Sequence, residues 1–414
     1  MKPGSSTSVT IDSRTSIITV ALCYLIAVFE GFDLQAAGVA APKLGPAFQM
    51  APAAMGWFFS ASTFGLMLGA GFGGRLSDRF GRKSVLIFSV AVFGSMSVLT
   101  GLAPNVDSLL LARLFTGVGI GGALPNLVSL VAENSKPSRK NTSVGLLYAG
   151  LPSGGALASL TAAVSSAESW QTVFFVGGIA PLIAIPLLMF VLPESHQLTA
   201  VKQAQATQGA RLRVGYGVAL FGDNRAPRTI LLWLSFFFAL LTMYLLLNWL
   251  PTLLVNRGLS RPDASYAQLS FNLLGALASM TTGILMDRMS LSKVVIVSFG
   301  AAGVSLWLLS NVTPVFATAV AVAGFVGIAM CATQALLYAV APSNYPTEVR
   351  GTGVGSAVAV GRLGSAAGPL LAAALLGSGK APQDVLLLLV PIIIAAGLLA
   401  LVLVGLMRRN SASL

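Results

Sequence analysis

A ten-residue basic turn between two long apolar segments constrains this chain more than any other feature. The turn is Gly74-Arg75-Leu76-Ser77-Asp78-Arg79-Phe80-Gly81-Arg82-Lys83, with four cations and one carboxylate. Glycines in such a turn allow close helix approach and tight reversal of the chain. Three of its residues, Gly74, Asp78 and Arg79, recur at one constant offset as Gly283, Asp287 and Arg288. The recurrence predicts two related halves, each with a turn of this kind between membrane helices.

The composition agrees with a membrane protein. Of 414 residues, 55% are hydrophobic and only 9% are charged, too few to cover a soluble protein of this length. A membrane-spanning helix needs about 20 apolar residues. The apolar segments predict an all-α protein with twelve spans, at roughly 16–41, 54–76, 83–103, 107–132, 142–165, 170–192, 229–254, 266–288, 293–310, 314–340, 350–375 and 384–407. The polar segment 194–228 is predicted to be a flexible cytoplasmic linker with a short interfacial helix near 214–221.

The distribution of charge predicts the orientation of the spans. The net charge of +12 could indicate nucleic acid as a partner, but the cations are not spread evenly. With the N-terminus in the cytoplasm, four cations fall outside, namely Lys43, Arg257, Arg261 and Lys380, and two lie within spans. The rest are cytoplasmic, as the positive-inside rule requires. The sequence therefore predicts cytoplasmic termini and no nucleic acid. The segment before the first span lacks signal-peptide features, so that span is predicted to remain as an anchor.

Few residues are suited to metal binding or catalysis. Both cysteines, Cys23 and Cys331, fall in apolar spans, and the one histidine, His196, lies in a loop. This pattern indicates neither a disulfide framework nor a metal site. No nucleophile–base pair is visible, so we predict that the chain is not an enzyme and holds no cofactor.

Four ionisable residues fall inside predicted spans, where burial of charge is expensive and usually functional. They are Glu30, Asp33, Arg113 and Arg362. Asp33 in span 1 and Arg113 in span 4 are predicted to lie at similar depth, because each is a comparable number of residues from the outer end of its helix. Proton coupling at Asp33, tuned by Arg113, is one interpretation; a permanent structural ion pair is the other. Glu30 shares a helix face with Asp33 and fits either coupling or a helix–helix hydrogen bond.

Arg362 is the predicted anion-binding residue of a substrate site. Glycines flank it in Val360-Gly361-Arg362-Leu363-Gly364, and a guanidinium can bind a carboxylate through two hydrogen bonds. An internal pair with Glu30 is the alternative. Polar and aromatic residues in other spans are predicted to complete a cavity for a mostly apolar ligand with a charged end, although each alone also fits helix packing: Asn126, Tyr148, Tyr244, Asn248, Asn272, Gln334 and Tyr338.

The basic turn resembles the loop 2–3 signature of the major facilitator superfamily, and Arg113 followed by glycines up to Gly122 resembles its span 4 motif. The resemblance implies a monomer with two six-helix bundles, here residues 1–193 and 229–414. It also implies a cytoplasmic gate of salt bridges and turn residues, formed by Gly74, Asp78, Arg79, Gly81, Arg82, Glu133, Glu348 and Arg350. The span 5 segment Gly150–Gly155 departs from the superfamily's antiporter motif, which disfavours export.

Glu30-Gly31-Phe32-Asp33 resembles the Asp-Gly-Phe-Asp signature of the aromatic acid:proton symporters, with Glu in place of the first Asp. Its continuation to Gly38 is similar to the phenylpropionate branch of that family. The resemblance implies import of a small aromatic carboxylate together with protons, across a bacterial inner membrane. A carrier of another organic anion, a drug or metabolite exporter, and a non-transporting membrane sensor are the alternatives.

Overall fold

The computed structural model describes residues 13–135, 140–165, 169–193, 215–346 and 349–412, and they fold almost entirely into helices. The thirteen α-helices of these residues are α1 (Ser13–Ala47), α2 (Pro52–Phe80), α3 (Arg82–Gly101), α4 (Val106–Asn134), α5 (Lys140–Val164), α6 (Gln171–Val191), α7 (Tyr216–Phe221), α8 (Ala226–Asn256), α9 (Arg261–Arg288), α10 (Leu291–Asn311), α11 (Phe316–Val340), α12 (Arg350–Gly377) and α13 (Pro382–Ala412). A 3-10 turn, Ala341–Asn344, follows α11. The predicted all-α class is confirmed.

Eleven helices in the described part of the chain are long and apolar enough to cross a bilayer. The short helix α7 is not among them, and neither is α9, although α9 coincides with the predicted span 266–288. This helix is 28 residues long. Its first part carries the buried polar side chains Ser265, Gln268 and Asn272, and several side chains nearer its end, from residue 280 on, lie outside the described residues. A multi-pass membrane protein is therefore established, while the count of twelve spans stays a prediction.

The basic turn is a one-residue break between two helices. Helix α2 ends at Phe80 and α3 begins at Arg82, and Gly81 between them has φ 94°, a conformation that favours glycine. The Gly81 amide donates to the Ser77 carbonyl at 3.0 Å and so ends α2. The predicted role of Gly81 as the turn residue is confirmed.

Helix pairing repeats along the chain. In the first half α1 packs on α5, α2 on α4 and α3 on α6; in the second half α8 packs on α12, α9 on α11 and α10 on α13. The same pairing rule in both halves agrees with the predicted internal repeat. The halves meet where α1 contacts α8, α2 contacts α12 and α5 contacts α9. The boundaries at residues 193 and 229 stay predictions.

A glycine between the two acidic residues of α1 brings that helix against α5. A Cβ at Gly31 would overlap the carbonyl of Leu151, and one at Gly154 would overlap the carbonyl of Val28. The backbones therefore touch without intervening side chains, as small residues allow in membrane helix pairs. This contact fixes the rotation of α1, and with it the directions in which Glu30 and Asp33 extend.

The short helix predicted near residues 214–221 is present as α7. Arg225 Nη2 donates to the Val218 carbonyl at 3.0 Å, and Thr229 Oγ1 donates to the Leu220 carbonyl at 2.8 Å. The Tyr345 hydroxyl donates in turn to Thr229 Oγ1 at 3.1 Å. Helix α7 is thus held on the second half of the chain. The preceding linker residues 194–214, including His196, lie outside the described residues.

Candidate substrate and proton site

Asp33 and Arg113 form a buried ion pair between α1 and α4. Arg113 Nη1 donates to Asp33 Oδ2 at 2.9 Å, and Nη2 donates to the Asp33 backbone carbonyl at 3.2 Å. The side chains are 0% and 1% exposed, respectively. The Phe174 ring of α6 lies near the guanidinium, 5.8 Å from its centroid to Cζ. The predicted match in depth is confirmed by direct contact.

The ion pair is incompletely hydrogen-bonded. Asp33 Oδ1 and Arg113 Nε are buried and have no hydrogen-bond partner among the described residues. A buried ion pair offsets its desolvation only when its remaining donors and acceptors are also satisfied. A purely structural pair would be expected to meet that condition. Oδ1 is therefore an acceptor that the described residues leave open, while Oδ2 stays bonded to Arg113.

Glu30 lies about one helical turn before Asp33 and is fully buried. Neither of its carboxylate oxygens has a hydrogen-bond partner within the described structure. Glu30 and Arg362 form no ion pair in the described part of the chain. The alternative of a permanent Glu30–Arg362 pair is wrong for this conformation, and so is a helix–helix hydrogen bond from Glu30. A buried carboxyl group without partners is most stable in its neutral form.

Arg362 on α12 is held against Tyr244 on α8. Nη1 donates to the Tyr244 hydroxyl, and Cζ lies 5.7 Å from the centroid of the Tyr244 ring. A Cβ at Gly364 would overlap the Phe237 carbonyl, so the two helices approach closely at this point. Within the described residues, the guanidinium makes one hydrogen bond, to the Tyr244 hydroxyl. Its other N–H groups can bind a carboxylate.

A cluster of aromatic rings extends from this arginine across both halves of the protein. Tyr148 of α5 and Tyr338 of α11 stack with centroids 6.2 Å apart and an interplanar angle of 29°. Phe236 of α8 meets Tyr338 edge-on at 5.2 Å. Tyr148 is 41% exposed within its candidate span.

The predicted amide residues differ in what they offer a ligand. Asn126 Nδ2 donates to the Gly122 carbonyl at 2.8 Å, and Asn248 Nδ2 donates to the Tyr244 carbonyl at 2.7 Å, both within their own helices. These bonds satisfy one amide N–H of each residue within its own helix. Gln334 Nε2, one helical turn before Tyr338, is buried and has no acceptor among the described residues. Gln334 therefore has a donor for a ligand.

At the basic turn, Arg82 forms an ion pair with Glu133, which joins the start of α3 to the end of α4. Lys83 Nζ donates to the Met189 carbonyl at 2.7 Å. The predicted contact between Glu133 and the turn is thus confirmed. Arg350 begins α12 and Arg79 is exposed. The surroundings of Gly74, the side chain of Asp78 and all of Glu348 lie outside the described residues.

Sequence reasoning missed one polar cluster between the halves. Gln35 Oε1 on α1 accepts hydrogen bonds from Asn272 Nδ2 at 2.6 Å and Gln268 Nε2 at 3.3 Å, both on α9. The sequence predicts Asn272 as part of the cavity lining, includes Gln35 only in the continuation of the span 1 motif, and gives no role to Gln268. Amides within apolar spans were the available signal, since such groups rarely remain unpaired in a bilayer. We call Gln35, Gln268 and Asn272 the amide cluster.

Comparison with known proteins places this arrangement in a family. A profile described as Major Facilitator Superfamily matches residues 23–268 and 232–413. The chain belongs to the Major Facilitator Superfamily. A 3-(3-hydroxy-phenyl)propionate transporter of Escherichia coli (strain K12) is 43% identical over 400 residues, which cover 96% of each chain. A gallate transporter of Pseudomonas putida is 35% identical over 388 residues, which cover 87% of this chain and 86% of the relative.

These relatives confirm the resemblance predicted from the span 1 motif.

Among solved structures, the fold is similar to that of a bacterial homologue of the human lysosomal transporter Spinster, in an inward-facing and unoccupied conformation. The TM-score is 0.75 at 16% identity, over 96% of this chain and 99% of that chain. At that identity the likeness establishes the fold alone. The Major Facilitator Superfamily comprises transporters, in agreement with the prediction that this chain is not an enzyme.

Proposed function

We propose that this protein is a proton-coupled symporter that imports an aromatic carboxylate, with 3-(3-hydroxyphenyl)propionate as the first candidate. The observation that carries the proposal is Arg362, a guanidinium inside a span, held on Tyr244 beside the stacked rings of Tyr148 and Tyr338. A cation next to aromatic surfaces is complementary to a carboxylate attached to a ring. Relatives named as transporters of hydroxylated aromatic acids support the same substrate class.

In this proposal the substrate carboxylate binds the open N–H groups of Arg362, and its ring packs on the tyrosines. Gln334 donates a hydrogen bond from its unpaired Nε2. Because Tyr148 belongs to α5 and Tyr338 to α11, the ligand contacts both halves of the protein. A ligand that bridges both halves can stabilise their closure around it. Asn126 and Asn248 complete the proposed lining.

Asp33 is the proposed proton site, with Glu30 as a second candidate. Protonation at Oδ1 removes the negative charge of Asp33 and weakens its attraction to Arg113. Helix α1 is then free to shift relative to α4. Co-transported protons also offset the charge of the carboxylate as it crosses the membrane. The proton is the coupling ion, and no further cofactor is required.

The proposed topology is that of twelve spans in two six-helix bundles, residues 1–193 and 229–414, with a linker at 194–228. Both termini face the cytoplasm of a bacterium, and the protein acts as a monomer in the inner membrane. The basic turn closes the cytoplasmic side through a set of charged and turn residues, Gly74, Asp78, Arg79, Gly81, Arg82, Glu133, Glu348 and Arg350. The Arg82–Glu133 ion pair supports this arrangement.

Uptake of radiolabelled 3-(3-hydroxyphenyl)propionate into proteoliposomes, with and without an inward proton gradient, tests the proposal. Accumulation that collapses with a protonophore is the expected result. Uptake of benzoates or aliphatic carboxylates in its place would overturn the first-candidate substrate and keep the transporter. Uptake that is the same with and without the proton gradient would overturn symport. Absence of flux of any anion would overturn the proposal and favour an exporter or a sensor.

A further inference from the structure

The two halves of the protein are bonded to each other at one end of the helices. Ser60 Oγ on α2 donates to the Ala366 carbonyl on α12 at 2.9 Å. The Phe59 ring of α2 meets the Trp249 ring of α8 edge-on, with centroids 5.2 Å apart. The amide cluster joins α1 to α9. These contacts all lie toward the end of the molecule where α2 and α9 begin.

The amide cluster is buried and has one unsatisfied acceptor. Gln35, Gln268 and Asn272 are at most 4% exposed. Within the cluster, Gln35 Oε1 accepts the two hydrogen bonds that cross between the halves. Asn272 Nδ2 also donates to the Gln268 backbone carbonyl at 3.0 Å. Gln268 Oε1 has no donor among the described residues. In the closed arrangement this acceptor has lost water without gaining a protein partner, which opposes closure.

Helix α1 connects this cluster to the proposed proton site. Asp33 bonds to α4 within the first half, and Gln35, two residues further on, bonds to α9 in the second half. A Cβ at Gly38 would overlap the Leu247 carbonyl of α8, so α1 also touches the other half through its backbone. A shift of α1 away from α4 therefore changes contacts across the interface between the halves.

We propose that the amide cluster is the gate that holds this end of the transporter closed, and that the unpaired Gln268 acceptor keeps the closed state only marginally favoured. The inference rests on the proposed transport function. Opening this end lets water reach Gln268 Oε1 and breaks the bonds to Gln35. The unpaired Gln268 Oε1 opposes closure, whereas the two hydrogen bonds to Gln35 favour it. Substitutions within the amide cluster should therefore shift the balance between the open and closed states in opposite directions.

Gln35→Leu removes the shared acceptor and leaves two buried donors without it, so it should favour the open state. Asn272→Leu removes the shorter interhalf bond and should act in the same direction. Gln268→Met keeps an unbranched side chain of similar length and retains the bond between Gln35 and Asn272. It deletes the unpaired acceptor and only the longer bond, and should favour the closed state.

The rate of labelling of a reporter cysteine by a maleimide measures opening. Ser60→Cys places the reporter at the contact between α2 and α12, away from the amide cluster, in a background of Cys23→Ala and Cys331→Ser. The protein is reconstituted in nanodiscs, so that both faces are accessible to reagent. Relative to the Ser60→Cys background, labelling is expected to be about tenfold faster with Gln35→Leu or Asn272→Leu and several-fold slower with Gln268→Met.

Two controls separate gating from unfolding. Ser159→Ala removes a buried hydroxyl that donates only to the Gly155 carbonyl of its own helix, and it should leave labelling unchanged. Native Cys23, buried in α1, should remain unlabelled in Gln35→Leu protein that lacks the reporter and Cys331. Equal labelling rates in all cluster variants, or labelling of Cys23 in step with the reporter, would overturn the gate.

The labelling assay requires no substrate, so its result is independent of the uptake assay. A response of the reporter without uptake of any aromatic acid would keep the gate and overturn the substrate assignment. Uptake with an unresponsive reporter would keep the proposed function and overturn the gate.

Discussion

Asp33 and Arg113 form a buried ion pair in which a single carboxylate oxygen, Oδ2, binds the guanidinium at 2.9 Å. The other oxygen, Oδ1, has no partner among the described residues. This asymmetry distinguishes the pair from a fully satisfied structural ion pair. It leaves one carboxylate oxygen of a buried ion pair open to a further hydrogen-bond donor.

Asp33→Asn should abolish proton-driven accumulation and preserve substrate exchange. The amide cannot release a proton, but it can still bind Arg113 through its oxygen. Counterflow in proteoliposomes with equal pH on both sides measures exchange, and uptake under a proton gradient measures accumulation. Asp107→Asn, at the exposed start of α4, is the matched control and should retain both. Accumulation by the Asp33→Asn protein would contradict the coupling role.

Arg113→Ala should destabilise the protein by about 3–5 kcal/mol, since it leaves the Asp33 carboxylate buried without its cation. Thermal unfolding in detergent would report the loss. In the double variant Asp33→Ala/Arg113→Ala the charge is absent, so the loss should be smaller than in Arg113→Ala alone. If the loss in the double variant equals the sum of the losses in Asp33→Ala and Arg113→Ala, the ion pair contributes no coupling energy.

Contacts within one half of the chain were the easier ones to predict from sequence. Asp33 and Arg113 could be placed together by counting residues along two helices of known direction, and the Gly81 turn followed from its position between apolar segments. The Tyr148–Tyr338 stack and the amide cluster depend on how two distant helices meet. The periodicity of apolar residues along one helix does not predict which residues of a distant helix it will contact.

Depth in the membrane alone does not determine side-chain contacts. Glu30 and Arg362 both fall near mid-membrane, which leaves an internal pair between them as an alternative, but similar depth does not determine which way each side chain points. Arg362 instead bonds to Tyr244, a phenol on the helix that packs against α12. Asn126 and Asn248 are predicted to line the cavity; their amides donate to carbonyls one turn earlier, and their contact with a ligand stays a prediction. A short polar side chain can satisfy itself on its own helix.

Arg362→Lys should weaken substrate binding at least tenfold, although it keeps the positive charge. An ammonium group cannot form the paired hydrogen bonds that a guanidinium makes with a carboxylate. Arg362→Ala should abolish measurable binding. Tyr244→Phe removes the hydroxyl that orients the guanidinium and should produce a smaller loss. Scintillation proximity binding in detergent measures all three, and wild-type affinity in Arg362→Ala would exclude the arginine as the carboxylate site.

Tyr148 and Tyr338 should determine preference for aromatic over aliphatic acids. Tyr148→Phe and Tyr338→Phe keep the stacked rings and should change affinity by less than about threefold. Replacement of either ring by leucine removes the aromatic face, and stacking of this kind contributes about 0.5–1.5 kcal/mol beyond buried area, or roughly twofold to twelvefold in affinity. Competition by an aliphatic carboxylate of similar length should be unaffected by the leucine variants, because it relies on Arg362 alone. An equal loss for both ligands would assign the tyrosines a structural role in holding the two halves together.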